Sequence, residues 1–257
     1  MADIYQEIVR IKEEGKEAAL VTIVSATGST PREEGAKMLV KPDGSIAGTI
    51  GGGSLEAQVI DEAIKVIKQG KPKRLHISLT AKEAEEAGMI CGGDLEVFIE
   101  PILASPTLYI FGGGHVSLPL AKMGKLLGFK ITVIDDRAEF ASADRFPEAD
   151  IVLAEEFTKS FPELKIDKSS YIVIVTRGHQ NDELVLGWAV GTPAKYIGMI
   201  GSKTKVKTIY SHLLAKGVSK ERLDRVHSPI GLEIEAQTPE EIAVSILAEV
   251  IKVRRSN

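Results

Sequence analysis

Three groups of residues in this 257-residue chain have the types and spacing to do chemistry. The first is Gly112-Gly113-Gly114-His115, set between the apolar run Tyr109-Ile110-Phe111 and a helical pattern through Leu127. Gly112 permits a tight turn and Gly114 lets a pyrophosphate approach the backbone. The helix behind them offers unpaired N–H groups and the positive end of its dipole. Asp135 follows 23 residues after Gly112, at the end of a β-branched run, where a carboxylate could accept hydrogen bonds from a ribose. His115, in the first helical turn, could donate to a bound pyrophosphate as a neutral imidazole; the plainer alternative is a structural histidine. Ser117 stands where the G-x-G-x-x-G pattern has its third glycine, and is small enough for close helix–strand packing.

The second group follows the apolar run Tyr171 to Val175: Thr176-Arg177-Gly178-His179-Gln180-Asn181-Asp182. Arg177 could grip a phosphate bidentately, and His179 with Asp182 could share a metal or relay a proton. The ordinary alternative makes Asp182 a helix N-cap and leaves His179 on the surface. Ser202, in Gly201-Ser202-Lys203, is likewise either an N-cap or a phosphate contact. The third group lies in the first half, in Gly28-Ser29-Thr30-Pro31-Arg32 and Gly51-Gly52-Gly53-Ser54-Leu55-Glu56. Arg32 could hold an anion. Gly51, Gly52 and Gly53 could let a large planar ligand lie against backbone, or could serve helix–strand packing alone. Cys91, between Met89-Ile90 and Gly92-Gly93, is either an accessible thiol able to meet a soft metal or sulfur, or a small buried hydrophobe.

These groups need elements to position them. Apolar and β-branched runs predict strands over Leu108 to Phe111, Lys130 to Ile134, Ile151 to Ala154, Tyr171 to Thr176 and Tyr196 to Ile200. Helical patterns alternate with them over Val116 to Leu127, Asp182 to Val190, Lys203 to Lys216 and Pro239 to Val253. Such alternation predicts a Rossmann-like parallel sheet with helices on both faces. Ligands of such sheets bind beyond the carboxyl ends of the strands. Upstream, a helix over residues 2 to 15 and a hairpin around Pro42-Asp43-Gly44 precede a helix to Lys68. With strands Ala19 to Ser25, Arg74 to Thr80 and Leu95 to Glu100, they predict a smaller α/β domain with a mixed sheet. Ser105-Pro106 marks the linker, giving domains 1–104 and 105–257.

Composition limits the function classes. The chain is 44% apolar and 26% charged, as in globular proteins. No apolar run approaches the roughly 18 residues of a membrane-spanning helix, and the acidic amphipathic start does not resemble a signal peptide. One cysteine excludes an intramolecular disulfide and fits a reducing compartment, so a cytoplasmic protein is expected. Residues 1–104 carry 12 Lys and Arg against 17 Asp and Glu, and residues 105–257 carry 20 against 19. Neither half has the basic excess that nucleic-acid binding demands. No Gly-x-Ser-x-Gly elbow, Walker loop or zinc-type spacing occurs, which disfavours a hydrolase built on those motifs.

Several segments form a longer pattern in order along the chain: Gly28-Ser29-Thr30-Pro31-Arg32 through Gly35-Ala36-Lys37-Met38, Gly51 to Glu56, Cys91-Gly92-Gly93 and Gly112 to Val116. Thr176 to His179 with Asp182, Ile200 to Lys203 with Lys205, Ser228 to Leu232 and Thr238 to Ala243 complete the set. Taken together, they resemble the XdhC/CoxI family of xanthine dehydrogenase accessory proteins. Ser117 and Glu235 depart from the pattern, each standing where the family has glycine. The resemblance implies a non-catalytic chaperone, often dimeric, that binds the molybdenum cofactor as molybdopterin or its dinucleotide form. It implies that a cysteine desulfurase is the sulfur donor and that xanthine dehydrogenase or a related molybdenum hydroxylase receives the cofactor. The glycine loop and Asp135 alone would equally suit an NAD(P)-dependent oxidoreductase. A phosphate-processing enzyme using His179, Asp182 and Mg²⁺ is a third alternative.

Overall fold

The computed structural model describes residues 3–28, 30–78 and 93–256. The chain divides into two compact units, Met1–Ser105 and Pro106–Asn257.

In the first unit, α1 (Ile4–Glu13) starts at Asp3, whose carboxylate accepts from the Tyr5 N–H at 2.9 Å. There follow β1 (Ala18–Gly28), β2 (Lys37–Val40), β3 (Ile46–Gly48), α2 (Gly53–Gln69), β4 (Lys73–Ser78) and β5 (Gly93–Ile102). The strands form one sheet in the order β3-β2-β1-β5-β4. Every pairing among them is antiparallel, which corrects the expected mixed sheet. The reason is the route of α2: it joins strands on opposite edges of the sheet, so it creates no parallel neighbours. Alternate residues Ala19, Val21 and Ile23 of β1 face Leu55, Val59, Ala63 and Val66 of α2. The other face, through Ala18 and Leu39, meets Ile4, Ile8 and Ile11 of α1. Period two in the strands and three-to-four in the helices is what two-layer packing on both sides requires.

The second unit runs β6 (Thr107–Phe111), α3 (Ser117–Leu126), β7 (Lys130–Asp135), β8 (Ile151–Ala154), α4 (Phe157–Ser160) and β9 (Ser170–Ile174). It continues with α5 (His179–Ala189), β10 (Tyr196–Met199), α6 (Lys203–Ala215), α7 (Lys220–Asp224) and α8 (Pro239–Arg255). The sheet is fully parallel, in the order β10-β9-β6-β7-β8. Apart from the edge strand β8, whose residues are exposed or half-buried, its strands are buried on both faces, as in helix-covered parallel sheets. Tyr109, Phe111, Ile172, Ile174, Ile197 and Met199 pack towards α5 and α6, while Leu108, Ile110, Ile131, Val133 and Val173 pack towards α3 and α8. The order reverses between β6 and β9, so their carboxyl ends flank the switch point of a Rossmann sheet.

Candidate functional site

Three glycines after β6 have three different tasks. Gly112 has φ +107°, and a Cβ there would lie 2.4 Å from the carbonyl oxygen of Val175, so only glycine lets the ends of β6 and β9 close up. Gly113 is excluded from a side chain by contact alone, because its Cβ would fall 2.2 Å from the Phe140 carbonyl oxygen. Gly114 faces open space, with nothing within 4 Å of a Cβ. Of the three, Gly114 is the one whose backbone a ligand can approach.

The buried Ser117 donates its hydroxyl to the Gly112 carbonyl at 2.5 Å. It therefore fills the third-glycine position as a small packed residue that also fastens the loop. The helix α3 begins at Ser117, so the exposed His115 lies in a turn ahead of the helix rather than in its first turn. Among the described residues, the backbone N–H groups of Gly114, His115 and Val116 meet no acceptor, and no side chain caps α3. Free N–H groups and a positive dipole end make this a cradle for an anion.

Asp135 takes a different part from the one the spacing suggests. It is buried, and its Oδ2 accepts from the Gly113 N–H at 2.7 Å. Arg137 closes on it bidentately, Nε to Oδ1 at 2.8 Å and Nη2 to Oδ2 at 2.9 Å, while the Arg137 N–H reaches Oδ1 at 3.0 Å. Burial pushes this carboxyl up, but the Arg137 guanidinium and the Gly113 N–H outweigh it and hold the group below the usual aspartate range. Four donors occupy its two oxygens, so a ribose would have to displace Arg137 to be read there. Arg137 in turn lies over the Phe140 ring, 3.6 Å from its centroid.

Arg145 is a contact of the glycine loop that sequence reasoning missed, since nothing in the spacing connects it to that loop. Its Nη2 donates to the Gly113 carbonyl at 3.2 Å, and its Nε is buried without a partner.

At the ends of β9 and β10, Asp182 is wholly buried and accepts from the Thr176 hydroxyl at 2.7 Å and from the Lys205 ammonium. Burial raises its pKa against the opposing pull of Lys205 and Thr176. Neither alternative for Asp182 matches this placement. The helix α5 begins at His179 with Gly178 as its cap, so Asp182 lies inside the first turn and is no N-cap. Arg177 and His179 are exposed, and the described residues contain no cluster of three or more metal-ligating side chains. Ser202 caps α6, accepting from the Lys205 N–H at 3.2 Å. The Lys205 stem passes close to Gly201, where a Cβ would lie 2.9 Å from its Cδ.

In the first unit the two glycine-rich segments meet. Gly51, at φ +136°, packs on Pro31: a Cβ would lie 2.4 Å from the proline Cγ. The Glu56 carboxylate accepts from the Thr49 hydroxyl at 2.5 Å, the Ile50 N–H at 3.1 Å and the Gly52 N–H at 3.3 Å. This internal anion takes up donors that a phosphate would use. Gly52 and Gly53 face open space, and Arg32 is exposed nearby in sequence to Pro31. Cys91 lies outside the described residues.

Strand order, switch point and glycine loop define a Rossmann-type unit, joined in one chain to an antiparallel α/β unit. Residues 108–250 match the model of the XdhC Rossmann domain, and residues 11–78 match that of the XdhC and CoxI family. The chain belongs to the XdhC and CoxI family. It is similar to the uncharacterised protein YqeB of Escherichia coli, 36% identical over 255 residues, covering 99% of this chain and 47% of that protein. A Bacillus subtilis protein, named as a probable component of xanthine dehydrogenase, is 32% identical over 164 residues, covering 62% of this chain and 46% of its own. The chain thus spans about half the length of these two relatives. The molybdenum cofactor insertion chaperone PaoD of Escherichia coli is 24% identical over 287 aligned positions, covering 99% of this chain and 90% of PaoD. A solved structure from Bacillus halodurans, described as a xanthine dehydrogenase, has a TM-score of 0.54 at 24% identity and covers 100% of this chain and 97% of its own. At that identity the likeness shows the fold. No helix among the described residues is long and apolar enough to cross a membrane.

Proposed function

We propose that this chain is a maturation protein that binds the molybdenum cofactor, supports its sulfuration and delivers it to xanthine dehydrogenase or a related molybdenum hydroxylase. The observation that carries the reading is the match to PaoD along 99% of the chain, because it takes in both units rather than the glycine loop alone. The site chemistry agrees. The open backbone at Gly114 and the uncapped start of α3 suit the phosphate of a pterin, while Asp135 is committed to Arg137 and Gly113 instead of a ribose. When bound, the cofactor supplies the molybdenum centre on which the hydroxylase works.

This chain's part is to hold and hand over. Gly114 and His115 form the phosphate end on the turn that Gly112 makes, with Arg177, His179 and Ser202 at the neighbouring strand ends. Arg32, Gly52 and Gly53 supply a sterically open surface in the first unit beside the packed Gly51, and Cys91 is the candidate contact to molybdenum or sulfur. A cysteine desulfurase as sulfur donor, a homodimer and a cytoplasmic location belong to the same proposal.

Anaerobic purification followed by mass identification of the bound small molecule, with titration of the apo-protein by molybdopterin, tests it. Stoichiometric pterin and stimulated activation of an apo-hydroxylase are expected. A preparation that binds nicotinamide dinucleotide and no pterin overturns the reading.

A further inference from the structure

The last helix carries a face that its own fold leaves uncovered. Along α8, Glu240, Val244, Ala248, Ile251 and Arg255 follow one another at steps of three or four residues, which places them within about 80° of arc on one side of the helix. Val244 is 48% exposed and Ile251 36%, Glu240 and Arg255 are exposed, and Ala248 is half-buried. Among the described residues the side chains of Glu240 and Arg255 meet no partner. The neighbouring α3 widens the same layer. Arg254 Nη1 donates to the Leu127 carbonyl at 3.2 Å, which sets the end of α3 beside the end of α8, where Leu126 stands 82% exposed. Between α3 and the start of α8 lies an apolar cleft of about 380 Å³, walled in part by Pro119, Met123, Ile234 and Val244.

The order acid, apolar, small, apolar, base is its own complement. Glu240 and Arg255 are centred on the same point as Val244 and Ile251, between residues 247 and 248. A copy of α8 laid antiparallel about that point therefore puts each Val244 on the partner's Ile251 and each Glu240 on the partner's Arg255. Laid parallel, it would set Glu240 against Glu240 and Arg255 against Arg255. A two-fold axis perpendicular to the helix generates the antiparallel arrangement, and closed dimers are isologous in this way. The helix dipole accounts for the sign of the charge at each end of α8, but not for the exposed apolar pair between them. We propose that this face of α8, with the flanking cleft and Leu126 of α3, is the contact between two copies of this chain. Ala248 at the centre lets the two helices approach closely, and the partner's Ile251 arrives beside the cleft at Val244. The inference deepens the homodimer named in the proposed function, on which it rests, by giving that dimer its surface.

The test is sedimentation velocity of the full chain over a dilution series, with thermal melting as the check on folding. The wild type sediments as a dimer. E240R and R255E each set like charges together at both ends of the contact and weaken dimerisation by about 10-fold. The double variant E240R/R255E restores the pairing and recovers dimerisation to within about threefold of the wild type. Damage to the helix ends alone would make the double variant worse than either single one, so the recovery reads the contact between copies. If a charge reversal fails to fold, V244D and I251D decide: both side chains are already exposed, and each variant is folded and monomeric. The proposal is overturned if the wild type is a monomer at about 100 μM, if V244D dimerises as the wild type does, or if the double variant dimerises no better than the single ones. Molybdopterin titrated into the same samples keeps the two readings apart. A dimer that responds in this way in a protein that binds no pterin defeats the cofactor reading and leaves the surface standing. Pterin binding in a protein whose dimer withstands V244D overturns the surface and leaves the cofactor reading standing.

Discussion

Gly113 and Gly114 are adjacent and identical in type, yet substitution by alanine should have opposite consequences. At Gly113 the new Cβ would lie 2.2 Å from the Phe140 carbonyl oxygen and 2.8 Å from its carbon, so the backbone at Phe140 must lift by about 1 Å to reach ordinary contact. That movement pulls against the Arg145 bond to the Gly113 carbonyl and the Gly113 N–H bond to Asp135, both anchored in the same segment. Overpacking of this kind costs about 1–3 kcal/mol, and loss of one hydrogen bond to a charged group about 1.5–3 kcal/mol. Together they give roughly 3–5 kcal/mol, or a fall in melting temperature of roughly 6–20 °C for a unit of this size. At Gly114 the methyl enters open space on a backbone outside the left-handed region, so stability should stay within about 1 kcal/mol of wild type or rise slightly through the unfolded state. Trp188 is the single tryptophan and stacks on Phe161 at 4.3 Å against the core of the second unit, so its fluorescence follows this unit's melting. Melting of G113A within about 2 °C of wild type, or an equal fall in G114A, would refute the division of labour between the two glycines.

Three further outcomes follow from the same geometry. Glu235 has φ +56°, a left-handed conformation that costs an L-residue about 1–2 kcal/mol. Allowing for the entropy glycine loses on folding, Glu235→Gly should stabilise by about 0.5–1 kcal/mol in urea unfolding, and a destabilised variant would contradict this. Ser117→Ala should cost about 1 kcal/mol for the lost bond to the Gly112 carbonyl, seen as a lower denaturation midpoint with unchanged slope. Asp135 is held below its ordinary pKa, so its contribution is present above about pH 4 and is lost as pH falls through the folded value. Asp135→Asn should therefore cost on the order of 3 kcal/mol at neutral pH and less in acid, giving a shallower acid limb of stability against pH; parallel curves for the two proteins would count against it.

Much of the second unit was legible before any coordinate. Val, Ile and aromatic runs at Leu108 to Phe111, Lys130 to Ile134 and Tyr171 to Val175, separated by helical periods, leave few arrangements other than a parallel sheet covered on both faces. The first unit was harder. Its strands are just as recognisable, but whether they pair parallel or antiparallel depends on the path of α2 from one edge to the other, which local pattern does not encode. Element ends also slipped: α5 starts at His179 because Gly178 serves as its cap, and the polar run to Asp182 disguised the helix behind it.

The amino-acid order by itself determined that a glycine loop would stand at a helix start after the first strand of a Rossmann-type sheet, and that the whole chain would resemble one family. Spacing carries that much because turns and helix starts are local events. Only the tertiary structure decided what each residue does there. Asp135 meets Arg137 and Gly113 instead of solvent, Asp182 is buried against Lys205 from 23 residues away, and Arg145 reaches the loop from 32 residues away with a donor to spare. A buried charge takes whatever partner the packed chain brings within hydrogen-bond range, since leaving it unpaired away from water is costly. That selection is made in three dimensions, where sequence distance no longer counts.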